Sequence, residues 1–177
     1  MSIVKPNNNT ISAITALPAA IPTGRILQVV TTTKTDAFNT NSSSYVDVTG
    51  LSAAITPSST SNKILIVLNI TGSNNTADRV FGFQLVRGST AIALGGSSGS
   101  RSVGTVAGAV ETKNTKMGSF SMNFVDTPST TSATTYKVQT KCQGASDDVR
   151  VNSNGGDQNA AYNFRTVSTI TLMEIAA

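Results

Sequence analysis

The sequence predicts an all-β protein: an antiparallel β-sandwich or jelly roll of about eight to ten strands with an extended N-terminal arm. Short runs in which apolar and polar residues alternate recur along the chain, and each run ends in a cluster of Gly, Pro, Ser, Asn or Asp, which are turn-forming residues. Only 12% of residues are charged, whereas helices favour Glu, Lys, Leu and Arg. No repeat of fixed period is present, which argues against a propeller or a β-helix.

Residues 1–24 differ from the rest of the chain and are predicted to form an arm outside the sandwich, which comprises residues 25–177. The arm contains an Asn run, then Ile11, Ile14 and Leu17 at three-residue spacing, and then two prolines. This spacing suits a two-turn helix, which would be marginal on its own. An apolar stripe without its own core needs a surface to bury it, so we expect the arm to dock on a larger assembly; a floppy terminus is the alternative.

The stretch Ser44–Ile70 is predicted to form the centre of the sandwich. In its first half Leu51, Ala53 and Ile55 alternate with small polar residues or alanine, which is typical of a half-buried strand. After a proline-containing turn, Lys63–Ile70 is almost continuously apolar and rich in β-branched residues. A run of this kind predicts a strand that is covered on both faces.

The other predicted strands share the alternating pattern and are separated by turn signals. They span residues 26–33, 79–87, 90–94, 105–112 (weak), 117–125, 134–142, 148–152 and 166–175. Gly88-Ser89 between two of them suits a type II′ hairpin turn. Polar loops are predicted at residues 35–43, 71–78, 95–104 and 154–159.

The net charge of +4 does not indicate nucleic-acid binding. Lys and Arg are scattered singly, without the dense basic patch and interleaved aromatic residues that such binding uses. Insertion into a membrane is not expected either, because the apolar runs are too short to span a bilayer and the N-terminus lacks a signal-peptide pattern. We therefore expect a protein made in the cytoplasm of the producing cell.

The sequence supplies no recognisable catalytic, cofactor-binding or metal-binding residues, and we expect the protein not to be an enzyme. Because it contains no His, a Ser–His or Cys–His catalytic pair cannot form within the chain. Cys142 is the single cysteine and lies in a strand pattern, which predicts a buried or half-buried thiol. Asp147, Asp148 and Asp157 lie in a loop-rich stretch, but their spacing matches no calcium-binding loop.

Most aromatic residues fall in strand patterns and are predicted to lie in the core. Tyr162 and Phe164 are the exception, because Asn-rich loop sequence surrounds them. We favour the interpretation that their rings anchor the loop by packing against the sandwich. The alternative is that an aromatic ring beside Asn and Asp stacks on the face of a sugar.

Four segments of the chain resemble a group of small tail-fibre-like virion structural proteins of aquatic tailed bacteriophages. The segments read GRILQVVTTTKTDAF, SYVDVTGLSAAITPSSTSNKILIVLNI, TPSTTSATTYKVQTK and STITLMEI. The resemblance implies a trimeric jelly-roll head similar to those of the tumour-necrosis-factor and C1q type. It also implies a homotrimer, in which Lys63–Ile70 and Thr166–Ile175 are candidates for the core between subunits.

The function that the resemblance implies is that of a bacteriophage virion structural protein, located in the virion. We expect a trimeric fibre or appendage head that docks on other virion proteins through residues 1–24. Its loops at residues 95–104 and 154–159 are expected to contact the host surface, where a glycan is a candidate partner. Only about 24 residues precede the head, whereas a tail fibre usually has a long shaft. Two alternatives stay open: a capsid decoration or cement protein that clamps shell subunits, and a free carbohydrate-binding module.

Overall fold

The computed structural model of the chain describes residues 24–76, 79–109 and 116–177. Within these ranges the chain forms eleven strands. They are β1 (Ile26–Lys34), β2 (Phe38–Thr40), β3 (Val46–Ile55), β4 (Lys63–Asn74), β5 (Val80–Arg87), β6 (Thr90–Ile92), β7 (Val106–Ala109), β8 (Gly118–Asp126), β9 (Thr134–Cys142), β10 (Val149–Val151) and β11 (Ser168–Ile175). None of the described residues forms a helix of the length and apolar character that a membrane span requires.

The strands pair in two antiparallel sheets that face each other. In sheet A, β1, β11, β4 and β8 lie side by side, while β10 pairs with the far end of β4 and carries β2 on its other edge. In sheet B, β3 pairs with β9 and β9 with β5, and both β6 and β7 pair with β5. The predicted all-β antiparallel sandwich is confirmed.

The core lies between the sheets and follows from the alternation within each strand. Every second residue of β4 from Ile64 to Ile70 is buried, and these side chains meet the buried residues of sheet B in one cluster. Three phenylalanines pack against one another in this cluster: the ring centroid of Phe81 lies 5.7 Å from that of Phe83 and 5.3 Å from that of Phe120. Each fully buried aliphatic side chain contributes about 1.5–3 kcal/mol.

Strand β3 has the predicted half-buried pattern, with Leu51, Ala53 and Ile55 pointing into the core. Its pairing with β9 is interrupted between Asp47 and Ser52, where the register shifts. Gly50 lies in this interruption with φ of +82°, a conformation that glycine adopts without steric cost. The irregularity lets the two parts of β3 keep the same face toward the core.

The hairpin between β5 and β6 turns at the predicted residues. Gly88 has φ of +59°, as the first central position of a type II′ turn requires. The second strand is shorter than predicted and ends at Ile92, because the next residue, Ala93, takes φ of +55° and leaves the extended conformation.

Three sequence predictions need correction. The loop predicted at residues 35–43 contains strand β2, and β4 extends through part of the loop predicted at residues 71–78. Apart from Phe38 and Gly72, the residues that pair with β10 are polar, and their backbone hydrogen bonding outweighs their turn propensity. The prediction that both faces of Lys63–Ile70 are covered is wrong for the single chain, because Leu65 and Val67 on the outer side are only half-buried.

Strand β4 defines two ends of the sandwich. At one end Lys63 pairs with Ile175, and the backbone N–H of Gly24 donates a hydrogen bond to the carbonyl of Ala176 at 3.0 Å. At the other end Asn74 pairs with β10. We call these the proximal and distal ends, which the length of β4 separates by roughly 35 Å.

The predicted arm meets the sandwich at the proximal end, where Gly24 begins the described part of the chain. Residues 1–23 lie outside the described residues, and with them the predicted short helix and its apolar stripe. The second half of the weak strand predicted at residues 105–112 also lies outside them, whereas its first half is β7.

Candidate functional surfaces

The solvent-side face of sheet A is free of charge over three successive rows of side chains. The pairing register aligns outward residues of β1, β11, β4 and β8 across the sheet. We define outer face A by these rows: Val29, Met173, Leu65 and Val125; then Thr31, Thr171, Val67 and Asn123; then Thr33, Thr169, Asn69 and Ser121. The first row is entirely apolar.

The apolar row is open to solvent in the single chain. Val29 and Val125 at its two ends are 55% and 49% exposed, and Leu65 and Met173 between them are half-buried. Covering this row would remove apolar area from water, which contributes about 25 cal/mol per Å². A contiguous apolar row flanked by uncharged polar rows is typical of a surface that another protein covers.

The outer face of sheet B is different, because its side chains form a charged and hydrogen-bonded ladder. Lys137 Nζ donates to Asp47 Oδ2 at 2.8 Å, and Gln139 Nε2 donates to Asp47 Oδ1 at 2.7 Å. The hydrogen bond from Lys137, and to a lesser extent that from Gln139, holds the pKa of Asp47 below its usual range. Gln84 Nε2 continues the ladder with a bond of 2.6 Å to Gln139 Oε1. Such a face is typical of solvent contact.

Outer face A contains both segments that were predicted to form the core between subunits. Lys63–Ile70 lies in β4 and Thr166–Ile175 contains β11, and these are the two central strands of the face. Their inward residues fill the core of the single chain, so only their outward residues remain for a partner.

Asp147 and Asp148 border a polar depression of about 480 Å³ at the distal end. Asp148 Oδ2 accepts hydrogen bonds from Arg150, and its Oδ1 accepts one from the backbone N–H of Asn75 at 3.2 Å. Asp147 Oδ1 lies 3.6 Å from Arg79 Nε. Both carboxylates are therefore neutralised by cations of the chain, and the described ranges contain no group of three or more His, Cys, Asp or Glu residues that could hold a metal ion.

A second distal feature is the segment of residues 152–167, which we call the distal loop. Its base is fixed by Asn152, a fully buried residue with φ of +62°. Asn152 Nδ2 donates to the carbonyl of Lys34 at 2.8 Å, and its Oδ1 accepts a hydrogen bond of 2.6 Å from Ser168 Oγ. The base of the loop is thereby tied to β11, which follows it in the chain, and to the end of β1, which pairs with β11.

Side chains within the distal loop hold one another in place. Arg165 Nη2 lies 2.8 Å from Asp157 Oδ1 in an ion pair. The backbone N–H of Asp157 donates to Asn154 Oδ1 at 3.0 Å, and the side chains of Asn154 and Asn163 are hydrogen-bonded to each other. Asn163 Nδ2 also donates to the carbonyl of Gln158 at 2.6 Å. Asp157 is thus separate from the Asp147–Asp148 pair, and its interactions stabilise the distal loop.

The aromatic rings of the distal loop do not pack on the sandwich. Tyr162 is 60% exposed and Phe164 is 68% exposed, more than any other large hydrophobic residue in the described part of the chain. The interpretation that these rings anchor the loop is therefore wrong. The prediction that Tyr162 and Phe164, unlike most aromatic residues of the chain, lie in a loop and outside the core is confirmed.

The two loops predicted to contact the host lie in different places. Residues 95–104 run along the edge of sheet B beside β5, because Thr105 N–H donates to the carbonyl of Phe83 at 2.8 Å and Tyr45 OH donates to that of Val103 at 2.7 Å. Residues 154–159 belong to the distal loop. The end of the sandwich opposite Gly24 therefore contains the second loop and not the first.

A buried carboxylate that the sequence did not single out lies at the proximal end. Glu174 is 1% exposed, and its oxygens accept hydrogen bonds from Asn62 Nδ2 at 2.6 Å, from Gln28 Nε2 at 2.6 Å, and from the backbone N–H and Oγ of Ser58 at 2.6 and 2.8 Å. Burial alone would raise the pKa of Glu174, but these hydrogen bonds outweigh it and lower the pKa to about 2.

Two further charged residues, Asp126 and Lys34, are buried in the folded structure. Asp126 is buried and accepts hydrogen bonds from Arg87 Nη1 at 2.8 and 2.9 Å and from Tyr136 OH at 2.6 Å. Burial and then this carboxylate raise the pKa of Tyr136. Lys34 is 2% exposed and donates to Asp36 at 2.7 Å. These residues stabilise the fold and do not form a reactive site.

The single cysteine is buried, as predicted. Cys142 is 2% exposed, and its Sγ donates to the carbonyl of Ser42 at 3.1 Å. Burial raises the pKa of its thiol. A thiol in this environment stays protonated near neutral pH and is a poor nucleophile.

Comparison with known proteins assigns no family. No family model matches the chain, and no curated protein matches it. Among solved structures, the chain is similar to a chain of the infectious bursal disease virus Gx strain, with 16% identity and a TM-score of 0.44 over 88% of this chain and 38% of that one. It is also similar to a chain of infectious bursal virus derived T=1 particles, with 16% identity and a TM-score of 0.43 over 85% and 36%. This chain therefore spans less than two fifths of the length of those chains, and the likeness assigns no function.

Proposed function

We propose that the chain is a structural protein of a tailed-bacteriophage virion that assembles as a homotrimer. Outer face A is the subunit interface, the arm of residues 1–24 docks the trimer on other virion proteins, and the distal end is directed toward the host. The resemblance of four sequence segments to tail-fibre-like virion proteins supports a location in the virion. The single observation that supports association of the subunits is the absence of charged residues from outer face A.

The partner that best suits outer face A is another copy of the same chain. Rotational symmetry brings the same surface of each copy to the axis, so a charged residue there would meet residues of its own sign. Outer face A has none over three rows, whereas a solvated face of a small domain carries about a quarter charged residues. The apolar row from Val29 to Val125 would form the dry part of the interface.

The positions of the proximal and distal ends support a defined orientation of the trimer, with one end toward the particle and the other away from it. The chain enters the sandwich at the proximal end, so an arm bound to the particle holds that end inward. The distal loop then faces outward, roughly 35 Å away. Residues 154–159 can contact a host surface in this arrangement, whereas residues 95–104 lie on the flank.

The proposal is tested by locating the protein on purified virions of the parent phage with a gold-labelled antibody and electron microscopy. We expect label on the tail or its tip. Label distributed over the head would instead identify a capsid decoration protein, and the arm would then be its clamping element. Absence of label from every particle would contradict the virion assignment and leave the free carbohydrate-binding module.

The role of the arm is tested by deleting residues 1–24 from the phage-encoded protein. The deletion removes no strand of the sandwich, so we expect a folded trimer that is absent from purified particles. The measurement is the amount of protein in particles, by immunoblot, against the amount of trimer in the lysate. Normal incorporation of the truncated protein would show that the arm is not the docking element.

A further inference from the structure

The distal loop presents two aromatic rings to solvent at the outward end of the molecule. Tyr162 and Phe164 lie two residues apart and are 60% and 68% exposed. Burying a ring of this size contributes about 1.5–3 kcal/mol, and the free chain obtains only a minor part of that contribution at either position. Exposed apolar side chains that are grouped together are typical of surfaces that bind a ligand or another protein.

The loop that presents the rings is held in a defined shape. Its base is fixed by the buried side chain of Asn152, and its tip by the ion pair between Asp157 and Arg165 and the hydrogen bonds of Asn163. Asp157 itself has φ of +41°, a conformation that costs a non-glycine residue free energy. The rings are therefore presented by a preorganised loop, which lowers the entropy lost when a ligand binds.

Polar groups with free hydrogen-bonding capacity lie beside the exposed ring of Phe164. Together with this ring, Asp157, Gln158, Asn159 and Arg165 line a depression of about 230 Å³. Within the described residues, the side-chain amide of Asn159 and Nε2 of Gln158 have no hydrogen-bond partner, whereas Oε1 of Gln158 accepts one from Tyr162 OH at 3.3 Å. The depression thus combines an apolar ring with amide donors, amide acceptors and a carboxylate.

We infer that this depression binds one hexopyranose ring of a neutral surface polysaccharide. The C–H groups on one face of a pyranose carry partial positive charge and match the negative face of an aromatic ring. Its hydroxyl groups both donate and accept, as the amides do, and neighbouring hydroxyls can donate to the two oxygens of a carboxylate. The depression is smaller than the pockets that enclose drug-sized ligands, about 300–1,000 Å³, which suits one ring of a longer chain.

A sugar fits these groups better than a protein partner does. A protein interface would extend over about 800 Å² per partner and have an apolar core, whereas the surroundings of Phe164 are amides, a carboxylate and a guanidinium. The ion pair of Arg165 with Asp157 also leaves no surplus positive charge to attract an anionic group. The inference rests on the proposed function for its biological setting, since a sugar site at the distal end is placed to contact a host polysaccharide.

The test uses the purified full-length protein and saturation-transfer difference NMR with a panel of neutral methyl hexosides and N-acetylhexosaminides. We expect at least one glycoside to bind with a Kd on the order of millimolar, as single-ring contacts give, and Phe164→Ala to weaken it about tenfold. Leu94→Ala is the matched control, because Leu94 is a 44% exposed apolar residue away from the loop, and it should bind like the native protein.

Three results would overturn the inference. They are the absence of transfer from any glycoside in the panel, unchanged affinity in Phe164→Ala, and a lower melting temperature or a smaller oligomer in that variant, which would show that the ring packs against a subunit. The outcome is separable from that of the proposed function. Gold label on virions without glycoside binding overturns only the sugar site, whereas glycoside binding without label overturns only the virion assignment.

Discussion

Glu174 is a buried carboxylate that is stabilised by hydrogen bonds and not by an ion pair. It has no Lys or Arg partner in the described part of the chain, and its donors are Asn62, Gln28 and Ser58. A carboxylate in such a position is stabilised in its ionised form, because every donor around it prefers a negative acceptor. The network joins β1, β11 and the turn before β4, so it fixes the proximal end, where Gly24 begins the described part of the chain.

The lowered pKa of Glu174 predicts a specific dependence of stability on pH. Because the folded-state pKa, about 2, is below the ordinary value of 4.5, the contribution to the free energy of unfolding is fully present above pH 4.5 and is lost as the pH falls toward 2. The shift corresponds to about 3 kcal/mol. Urea unfolding of the native protein and Glu174→Gln should differ most above pH 5, by about 2–4 kcal/mol, and the difference should shrink toward pH 2.

The matched control for Glu174→Gln is Asp47→Asn, the same change at a carboxylate whose side chain is 52% exposed. Its hydrogen bonds to Lys137 and Gln139 are in contact with water, and exposed ion pairs contribute about 0–1 kcal/mol. A difference between native protein and Glu174→Gln that stays constant from pH 7 to pH 2 would contradict the account of Glu174.

At the residue scale the sequence predicts apolar burial well and polar burial poorly. The alternation in β11 places Glu174 on the same side as Ile170 and Leu172, yet its partners are up to 146 residues away in the chain. The sequence does not indicate that Lys34 and Asp126 are buried either. The exposure of Phe164 could not be predicted from the sequence either, because loop sequence does not specify whether a ring packs inward or outward.

At the scale of single elements, the irregularity in β3 depends on Gly50. With φ of +82°, this position costs a residue with a side chain about 1–2 kcal/mol. We therefore expect Gly50→Ala to lower the free energy of unfolding by that amount, as measured by urea denaturation. Gly96→Ala is the control, since an added Cβ there meets nothing within 4 Å and no positive φ opposes it. Equal stability of the two variants would show that the backbone at Gly50 adapts.

Long alternating strands are predictable elements, and short polar ones are not. The prediction of residues 134–142 coincides with β9, and Phe120 and Phe124 of β8 pack against the core, as predicted for aromatic residues in strand patterns. Strand β2 was missed because three residues give no period and because its pairing with β10 depends on contacts distant in sequence.

At the scale of the whole molecule, the two faces of the sandwich have different chemistry. The outer face of sheet B carries the ladder of Lys137, Asp47, Gln139 and Gln84, whereas outer face A has no charge over three rows. The sequence indicates part of this difference, since Lys63–Ile70 has apolar residues at outward as well as inward positions. It does not place that strand beside β11 and β8, and the apolar row exists only because of the pairing register.

Association of copies of the chain through outer face A is tested most directly by the mass of the purified protein, measured by size-exclusion chromatography with light scattering. We expect three times the chain mass of 18.2 kDa. Val125→Glu should dissociate the trimer, whereas Val80→Glu should not, because Val80 is a 47% exposed valine in sheet B and Val125 is 49% exposed on outer face A. A native protein of 18.2 kDa, or a Val125→Glu variant that remains trimeric, would contradict the account.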